Sequence, residues 1–568
     1  MTSFFLSTYS YIFFRAKENE KMISIFITKI FYLDLPYNQL MSFHQEIIHL
    51  ILTKNIQSKD ELHKIKVKLC RKYKLRTIPR DSEILAKLPA DQLENGAVHS
   101  LLRKKSIRTL SGVSIIAAMT SPETCPHGRC IPCPGGPEHN TPQSYTGYEP
   151  AAMRACCNNF DPYLQITSRI EQLHAIGHVT DKVDLIIMGG TFTARLPEYQ
   201  QWFVKRCYDA LNNTQSKTLE HAKKNNETAL SRCIGLTVET RPDWFRLQHV
   251  DQVLNLGATR VELGVQTIYD DLLSQIDRGH TVSDSIAATR IAKNAGLKVC
   301  YHMMPGLPGS NEKKDLEAFH MIFTDERYKP DMIKIYPTLV TKGTKLYDLW
   351  SEGKYEPLTT EQASLLIARI KKDIPEWVRI QRIQRDIPAH EISAGIKKSN
   401  LRQYVEKEMQ HQLTSCRCIR CREIGHLSME KTRKLTNLSL TCVQRRYKAS
   451  NGMEIFLSLE DIEQDILIGY IRLRDVIISH RFELQQEPCM IIRELKVLGR
   501  ETPLGERTAG TFQHRGYGKK LLGEAERICL EEFDKKRLFV LSGVGVKPYY
   551  RKLGFSDKGL YLSKKVKN

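Results

Sequence analysis

Short apolar runs alternate with helix-like segments between about residues 109 and 380. The clearest runs are Val183–Met188, Ile234–Val238, Arg260–Val265, Lys298–His302 and Met332–Tyr336. A loop and a helical stretch follow each run, which is the repeat of a parallel α/β barrel or of a doubly wound sheet. Because the carboxyl ends of barrel strands carry the chemistry, the polar residues after the runs become candidate site residues. They are Gly189–Thr191, Glu239–Asp243, Gln266–Thr267 and His302–Gly306.

The regions on either side of 109–380 carry different patterns. Residues 41–108 place apolar positions among lysines at loose helical spacing, which predicts a helical segment. Residues 441–568 show strand-like runs, then a Gly-containing loop, a helix and two short final strands, which predicts a smaller α+β domain. Those runs are Met453–Leu457, Asp465–Leu473 and Met490–Val497. A basic, cysteine-containing linker over 381–440 precedes this domain.

The first forty residues differ in composition from the rest of the chain. Phe4–Phe14 is apolar and aromatic, but it is too short to span a bilayer. It also lacks the preceding basic segment of a signal peptide. We expect 1–40 to be a non-essential extension or the product of a misplaced start codon, with Met22 and Met41 as alternative starts. A membrane-surface anchor is the other interpretation.

Basic residues outnumber acidic ones, with 85 Lys and Arg against 64 Asp and Glu in 568 residues, a net charge of +21. A chain of this length predicts two or three domains. Its positive field favours a polyanionic partner such as nucleic acid. The charge is concentrated early: Thr53–Arg80 holds ten Lys or Arg against only Asp60 and Glu61, and Arg103–Lys105 follows. This segment predicts contact with a nucleic-acid backbone; a solvated helical face is the alternative.

Three of the fifteen cysteines stand in one run, Cys125-x4-Cys130-x2-Cys133. Clustering at ligand spacing indicates metal binding rather than disulfides, and hence a reducing, cytoplasmic compartment. Three thiolates on a [4Fe-4S] cluster leave one iron open to a further ligand, which indicates chemistry rather than scaffolding. The spacing leaves a zinc site completed by His127 or His139 as the alternative.

A second run, Cys416-x-Cys418-x2-Cys421, has the spacing of a structural zinc site. Its fourth ligand stays open, the candidates being His426, His411, Cys442 and a non-protein ligand. Three unligated thiols are the alternative.

A glycine-containing loop, Gln513-x-x-Gly516-x-Gly518, opens the long helix predicted for the C-terminal domain. Glycines let successive backbone N–H groups converge on phosphate oxygens, and the helix dipole favours that anion. The loop follows the strand residues Glu494–Val497 and precedes Tyr549–Phe555. A generic phosphate loop of a nucleotide-binding domain is the alternative.

These motifs resemble known families when they are taken together. The first cysteine run resembles that of radical S-adenosylmethionine enzymes, although its first spacer is one residue longer than the commonest one. The glycine loop resembles the pyrophosphate loop of GNAT acetyltransferases. Their order along residues 75–568 resembles the family of Elongator catalytic subunits, and the short Cys125–Cys130 spacer resembles its archaeal members. Other segments that carry this resemblance are Gln143–Pro150, Met188–Thr191, Glu239–Asp243, Asp386–Pro388 and Tyr549–Lys552.

The resemblance implies a fold and an activity. The fold would be α/β: a partial TIM-like (β/α) radical SAM barrel, then an α+β GNAT domain, after a basic helical segment that binds tRNA. The activity would be acetyl-CoA-dependent carboxymethylation at C5 of the wobble uridine of tRNA. A 5′-deoxyadenosyl radical would abstract hydrogen from the acetyl methyl group, the carbon radical would add to C5, and thioester hydrolysis would leave 5-carboxymethyluridine. An inert C–H bond explains the need for a radical.

The implied cofactors are a [4Fe-4S] cluster and S-adenosyl-L-methionine, with acetyl-CoA as substrate and zinc at the second cysteine run. The implied partners are tRNA and an electron donor. A homodimer is compatible with the resemblance, whereas neither a membrane nor other Elongator-type subunits are required by the sequence.

The family's functional positions map onto residues of this chain. Cys125, Cys130 and Cys133 would hold the cluster, and Gly189, Gly190 and Thr191 would face S-adenosylmethionine. Tyr550 would lie near the thioester, with Tyr549 as its neighbour. The acetyl-CoA contacts would be Lys182, Glu494, Leu495, Lys496, Val497, Phe512, Gln513, His514, Gly516 and Gly518. An ordinary exposed lysine is the alternative for Lys182.

Two other functions fit parts of the sequence. One is a protein lysine acetyltransferase whose iron–sulfur domain serves as a scaffold, because the glycine loop alone does not exclude it. The other is an RNA-binding assembly subunit with degenerate sites. Intact cysteines and an intact glycine loop argue against the second.

Overall fold

The computed structural model describes residues 37–53, 56, 58–89, 98, 101–103, 109, 111–430, 438–499, 512, 513 and 515–567. The extension over 1–36, the basic residues Lys104 and Lys105, and His514 lie outside the described residues. The described residues divide into two compact units. One contains those up to Ser106 together with Gln172–His178, and the other contains Ile107–Glu171 and Val179 onwards.

The first unit is helical. Its helices are α1 (Tyr37–Thr53), α2 (Lys59–Lys72) and α3 (Asp81–Leu85). Apolar side chains that include Phe43, Ile47, Leu62, Leu69 and Ile84 form its core. Because these positions recur at helical spacing, most of the lysines between them lie on the opposite face, and Lys66 is the buried exception. The exposed lysines and arginines among the described residues of this unit are Lys59, Lys64, Lys68, Arg71, Lys72, Lys74, Arg76, Arg80 and Lys87.

The second unit begins with a parallel sheet. The strands up to residue 394 are β1 (Ser114–Met119), β2 (Lys182–Met188), β3 (Arg232–Thr240), β4 (Arg260–Gln266), β5 (Lys298–Met303), β6 (Met332–Ile335), β7 (Val340–Thr341), β8 (Arg379–Ile383) and β9 (Ile392–Ala394). Strands β1 to β6 and β8 pair in chain order, all parallel, while β7 and β9 form a separate antiparallel pair. This succession forms the predicted partial (β/α) barrel.

Helices connect the barrel strands. They are α4 (Pro150–Cys157), α5 (Pro162–Ala175), α6 (Pro197–Asn212), α7 (Leu219–Asn226), α8 (Leu247–Asn255), α9 (Asp270–Gln275), α10 (Val282–Asn294), α11 (Glu312–Thr324), α12 (Lys345–Ser351) and α13 (Thr360–Lys372). Local sequence sets their starts. Pro150 and Pro197 stand in the first turns of α4 and α6, where proline costs no hydrogen bond. A capping box joins Thr281 and Asp284 at the start of α10.

The segment predicted as a linker is folded. It contains β8, β9, α14 (Leu401–His411), α15 (Ile419–Arg422) and α16 (Ile424–Glu430). In α14, Leu401, Val405 and Met409 are buried one helical turn apart, which is the amphipathic spacing of a packed helix.

A second, mixed sheet follows. Its elements are β10 (Leu440–Ala449), β11 (Gly452–Asp461), β12 (Ile466–Val476), α17 (Phe482–Gln485), β13 (Cys489–Val497), α18 (Tyr517–Arg527), β14 (Arg537–Val540), α19 (Lys547–Arg551), β15 (Ser556–Lys558) and β16 (Tyr561–Lys565). The order is β10-β11-β12-β13-β14-β16-β15, antiparallel except for the parallel pair β13–β14. Strand β10 carries three charged residues, Arg445, Arg446 and Lys448, and the sequence predicted no strand there.

No helix in the described ranges is long and apolar enough to cross a membrane.

Candidate active site

The first cysteine run lies on the loop after β1 and lines a pocket of about 410 Å³ at the carboxyl end of the barrel. Each sulfur has a polar neighbour. Cys125 Sγ lies 3.5 Å from Thr191 Oγ1, and the Ser144 backbone N–H donates to Cys133 Sγ at 3.2 Å. Cys130 Sγ lies 3.0 Å from His127 Nε2. Hydrogen bonds to sulfur are what tuned thiolate ligands receive, so the donor set suits a metal centre.

The spread of these three sulfurs fits a multi-iron cluster. They do not form the compact group that a single ion needs, in contrast to another cysteine trio in the described chain. Burial raises the pKa of Cys125 and raises the pKa of Cys133 to about 11. A bound cation is therefore needed to keep these groups as thiolates. Residues Cys125, Cys130 and Cys133 thus fit a [4Fe-4S] cluster.

The glycine turn after β2 adjoins the first cysteine. Gly189 has φ of +127°, and a Cβ there would lie 2.0 Å from Thr120 Oγ1. Gly190 has φ of +76°, and its nearest neighbour would be Cys125 Sγ at 3.6 Å. Only glycine meets both demands at the first position, and the second keeps the backbone open beside the cluster ligand. Gly189, Gly190 and Thr191 therefore lie where a ligand of the open iron is expected.

Charged side chains line the barrel interior beneath this pocket. Lys334 on β6 forms an ion pair with Glu262 on β4 and donates to Glu239 Oε1 on β3 at 3.4 Å. His302 Nε2 on β5 lies 2.7 Å from Glu262 Oε2. Tyr145 donates its hydroxyl to Glu239 Oε2 at 2.9 Å. Barrel interiors are usually filled by branched apolar residues, so this network is a departure that points to function.

The electrostatics of the network centre on Glu262, which is fully buried. Burial opposes its ionisation, but the Lys334 ammonium and the His302 hydrogen bond outweigh burial and hold the pKa of Glu262 well below its usual range. Arg260 adds a second cation, with Nε 3.5 Å from Glu262 Oε1. Glu262 is therefore a carboxylate at all ordinary pH values, and Lys334 stays charged beside it.

The second sheet has an opening at the predicted acetyl-CoA strand. Pairing between β13 and β14 ends at Ile492 and Val540, although β13 continues to Val497. No described strand pairs with Glu494–Val497 on that side, so its backbone groups can bind another extended chain. The predicted residues Glu494, Leu495, Lys496 and Val497 form this free edge.

The glycine loop and one tyrosine converge on the same edge. Gly516 has φ of +86° and is the N-cap of α18. A Cβ on Gly518 would lie 3.0 Å from the Tyr549 hydroxyl and 3.8 Å from Val497 Cγ2. The helix N-terminus, the open strand and Tyr549 therefore enclose one space, in which backbone N–H groups suit phosphate oxygens.

The other residues predicted for this site lie in the core of the second sheet or on neighbouring segments. Tyr550 is buried in the core of the second sheet against Phe555, and burial raises its pKa above the usual range. Gln513 donates to the Ser111 carbonyl at 2.9 Å, and Phe512 packs partly against the same core. Lys182 lies at the start of β2, with Nζ 3.1 Å from Asp181 Oδ2.

The second cysteine run is compact. The sulfurs of Cys416, Cys418 and Cys421 lie within 4.8 Å of one another, the spacing of ligands around one ion. Hydrogen bonding from Cys416 lowers the pKa of Cys418 well below its usual range. None of the predicted fourth ligands, His426, His411 and Cys442, belongs to this group.

Buried ion pairs join the amino end of the barrel to the second sheet. Arg493 on β13 donates to Asp331 Oδ1 at 2.9 Å, just before β6, and to Glu454 Oε2 on β11 at 2.8 Å. Lys293, at the end of α10, lies 3.5 Å from both carboxylates. Arg472 on β12 donates to the Trp377 carbonyl at 2.7 Å. We call Lys293, Asp331, Glu454, Arg472 and Arg493 the seam.

Comparison with protein families covers most of the chain. A model of the ELP3 N-terminal domain matches residues 40–110, one of the Radical SAM superfamily matches 123–322, and one of the Radical_SAM C-terminal domain matches 330–411. The tRNA uridine(34) acetyltransferase of Methanocaldococcus jannaschii is 52% identical over 490 residues, covering 86% of this chain and 90% of that protein. Elongator complex protein 3 of Homo sapiens is 41% identical over 532 residues, covering 92% and 96%.

This chain belongs to the Elongator complex protein 3 family. A solved structure, the archaeal Methanocaldococcus infernus Elp3 with an N-terminal deletion, matches with a TM-score of 0.72 at 48% identity. The match covers 80% of this chain and 100% of that one. The predicted family and its fold, a partial radical SAM barrel followed by the mixed sheet of a GNAT domain, are confirmed.

Sequence reasoning named Glu239 and His302 among the residues after the strands, but it missed the rest of the interior network and the seam. Most of the missed residues are charged positions inside strands, such as Arg260 and Glu262 on β4 or Arg472 on β12, where Arg474 follows. The exceptions in the seam are Lys293 on α10 and Asp331 just before β6. Alternation at i and i+2 was the available signal, because it places two charges on one face of a strand that is buried on both sides. This alternation could have indicated buried charges in the strands, but it does not identify the residues that pair with them.

Proposed function

We propose that the chain is a tRNA uridine(34) acetyltransferase. It would use S-adenosylmethionine, a [4Fe-4S] cluster and acetyl-CoA to place a carboxymethyl group at C5 of the wobble uridine. The observation that carries the proposal is that one chain holds both a three-cysteine pocket and an open strand beside a glycine loop. The close relatives support it, since they bear the names tRNA uridine(34) acetyltransferase and Elongator complex protein 3.

The cysteine pocket would generate the reactive species. Cys125, Cys130 and Cys133 would hold the cluster, and the bound cluster with S-adenosylmethionine would supply a 5′-deoxyadenosyl radical. Gly189 and Gly190 would let the backbone approach the methionyl group.

The open edge of β13 would hold acetyl-CoA. The backbone of Glu494–Val497 would pair with the amide groups of the pantetheine arm. Gly516, Gly518 and the N-terminus of α18 would bind the pyrophosphate, with Phe512, Gln513 and His514 beside it. We assign the thioester contact to Tyr549, because its hydroxyl borders Gly518 while Tyr550 is enclosed by the core.

The basic face of the first unit would bind the tRNA backbone. Lysines and arginines on α2 and after it are exposed, whereas the buried Lys66 is paired with Asp81 at 2.7 Å. Binding through such a face releases counterions, so affinity would fall steeply as salt concentration rises.

Two finer assignments belong to the same proposal. Cys416, Cys418 and Cys421 would hold a structural zinc ion. A reducing, cytoplasmic setting and an electron donor would be required, because all fifteen cysteines are free thiols and the cluster must be reduced.

The test is tRNA-dependent release of CoA by the anaerobically reconstituted protein. We expect CoA release with S-adenosylmethionine, reductant and tRNA together, and little with any one omitted. Tyr549→Phe should raise the KM for acetyl-CoA, and Tyr550→Phe should leave it nearly unchanged. Acetylation of protein lysines with unmodified tRNA would favour the lysine acetyltransferase alternative and overturn the proposal.

A further inference from the structure

His302 and Glu262 form a histidine–carboxylate pair at the floor of the cysteine pocket. The His302 side chain is 16% exposed and lines the pocket, while Glu262 behind it is fully buried. His302 Nε2 lies 2.7 Å from Glu262 Oε2. This contact directs the Nε2–H toward the carboxylate and leaves Nδ1 as the acceptor. No described residue hydrogen-bonds Nδ1, so that atom is available to a pocket ligand.

The surroundings of the pair keep Glu262 ionised. Lys334 forms an ion pair with it, and Arg260 Nε lies 3.5 Å away. Glu262 therefore orients the imidazole and stabilises the imidazolium that forms, and does not take the proton itself. The other charged or titratable side chains that line the pocket near His302 are Glu239 on β3, Tyr336 on β6, Arg382 on β8 and Tyr145 on the loop after β1.

The same donors do not point to a metal ion. Glu239, Glu262 and His302 lie within 4.8 Å of one another, which is ligand spacing. However, the ammonium of Lys334 contacts both carboxylates and takes the place of a bound cation between them. A divalent ion at this position would meet that fixed positive charge.

We propose that His302, oriented by Glu262, is the general base that hydrolyses the CoA thioester attached to the wobble uridine. This inference rests on the proposed function, in which carbon–carbon bond formation leaves the uridine carrying a CH2–CO–S–CoA group. The pair lies in the pocket where that bond would form. The same pocket is lined by Cys125, Cys130 and Cys133, so one cavity joins the proposed radical source to the pair.

The step balances without any redox partner. His302 Nδ1 takes a proton from water as the water oxygen bonds to the thioester carbonyl carbon. The tetrahedral intermediate collapses, the C–S bond breaks, and the CoA thiolate takes the proton from the imidazolium. The products are the uridine-linked carboxylate, CoA thiol and one proton. Lys334 and Arg382 on the same wall suit the negative charge on the carbonyl oxygen.

The test isolates hydrolysis from the radical reaction. The substrate is a synthetic anticodon stem-loop RNA whose wobble uridine carries the CoA thioester of a C5 carboxymethyl group. It is incubated with the full-length protein without S-adenosylmethionine or reductant, and CoA release and the nucleoside product are measured. RNA affinity, iron content and thermal unfolding are recorded for each variant.

We expect His302→Ala to slow CoA release by about 100-fold, the lower range for loss of a general base, with RNA affinity unchanged. Added imidazole should restore part of the rate. Glu262→Gln should also slow the reaction, because the amide favours the wrong tautomer. The matched control is His480→Ala. His480 is also 16% exposed and lies 2.8 Å from Asp251 Oδ1, but it does not line the pocket. The His480→Ala variant should hydrolyse the thioester at the wild-type rate.

Two results would overturn the inference. One is a wild-type rate in His302→Ala, and the other is failure of the wild-type protein to hydrolyse the bound thioester. Failure of the proposed function is a different result, namely no acetyl-derived carbon on tRNA when the complete system is assayed. With the complete system, His302→Ala should accumulate tRNA linked to CoA, which hydroxylamine releases.

Discussion

The two ends of the barrel both bury charged side chains, but they use them differently. At the amino end, the seam places Asp331 and Glu454 against Arg493 and Lys293, and all four of these side chains are buried. At the carboxyl end, Glu262 and Lys334 lie under an open pocket, and His302 keeps one nitrogen available. The same residue types therefore fix two domains at one end and present chemistry at the other.

This difference shows why buried charge alone does not identify an active site. A buried ion pair stabilises little relative to apolar packing, but losing one partner is costly. The seam is best understood as fixing the position of β13, which carries the proposed acetyl-CoA edge next to Arg493. The pocket end combines charge with accessible atoms, and that combination indicates chemistry.

The largest expected effect is at the pocket end. Replacing Cys125, Cys130 and Cys133 together by alanine should abolish iron binding and tRNA-dependent CoA release, while the fold persists because these side chains lie on a loop. Iron analysis measures the bound iron, and circular dichroism shows whether the fold persists. The control is Cys156→Ala with Cys157→Ala, which removes two exposed thiols on α4. Undiminished iron in the triple variant would contradict the assignment.

The seam should respond in stability rather than in chemistry. Asp331→Asn removes one of the two buried carboxylates that face Arg493 and Lys293 and leaves two cations against Glu454 alone, so we expect the free energy of unfolding to fall by about 3 to 5 kcal/mol. Iron content of the folded fraction should be unchanged. Urea unfolding measures the first quantity. Asp325→Asn, which breaks a surface pair with Arg327, should cost less than about 1 kcal/mol. Equal losses of unfolding free energy in Asp331→Asn and Asp325→Asn would contradict the distinction between the seam and a surface ion pair.

Substitutions in the glycine turn after β2 test how tightly the backbone is packed at the carboxyl end of the barrel. Gly189→Ala places a Cβ 2.0 Å from Thr120 Oγ1 and strains the backbone, so it should destabilise the protein by about 2 to 3 kcal/mol. The Cβ of Gly190→Ala would make only ordinary contacts, with Cys125 Sγ at 3.6 Å and the Gln143 carbonyl oxygen at 3.7 Å, and its backbone strain should cost about 1 to 2 kcal/mol. Thermal unfolding of the two variants would show this order, and the reverse order would contradict the geometry.

The most gradual effect, spread over about two pH units, is a pH dependence of the seam. Burial lowers the pKa of Lys293 to about 8, despite Asp331 and Glu454. In the unfolded chain a lysine titrates near about 10.4, so between these values the unfolded state binds the extra proton. Stability should therefore rise with pH across this window, by at most about 1.4 kcal/mol per pH unit. Urea unfolding of Lys293→Met should lack this contribution, and an identical pH slope in both proteins would contradict it.

Sequence alone predicted the barrel better than the contacts inside it. Runs such as Val183–Met188 and Arg260–Val265 correspond within one residue to β2 and β4, because parallel strands are continuous apolar runs. Strand β10 was missed because its charged residues, Arg445, Arg446 and Lys448, resemble those of a solvated segment. Its Arg445 is half-buried through pairing with Glu460, a residue fifteen positions away.

The candidate site shows the same limit. Motif spacing placed Cys125, Gly189 and Gly518 in binding loops, because their roles depend on local backbone geometry. Glu262 and Asp331 gained their roles from partners on other strands, and no local pattern names those partners. The preference between Tyr549 and Tyr550 also required the fold, since adjacent residues on α19 face opposite environments.

The most direct test of the central claim is mass spectrometry of the wobble nucleoside. The reconstituted protein is supplied with tRNA, S-adenosylmethionine, reductant and acetyl-CoA labelled with 13C on both acetyl carbons. We expect 5-carboxymethyluridine at the wobble position carrying both labelled carbons, and none of it with the variant in which Cys125, Cys130 and Cys133 are replaced by alanine. Unmodified wobble uridine in an active preparation that still consumes acetyl-CoA would contradict it.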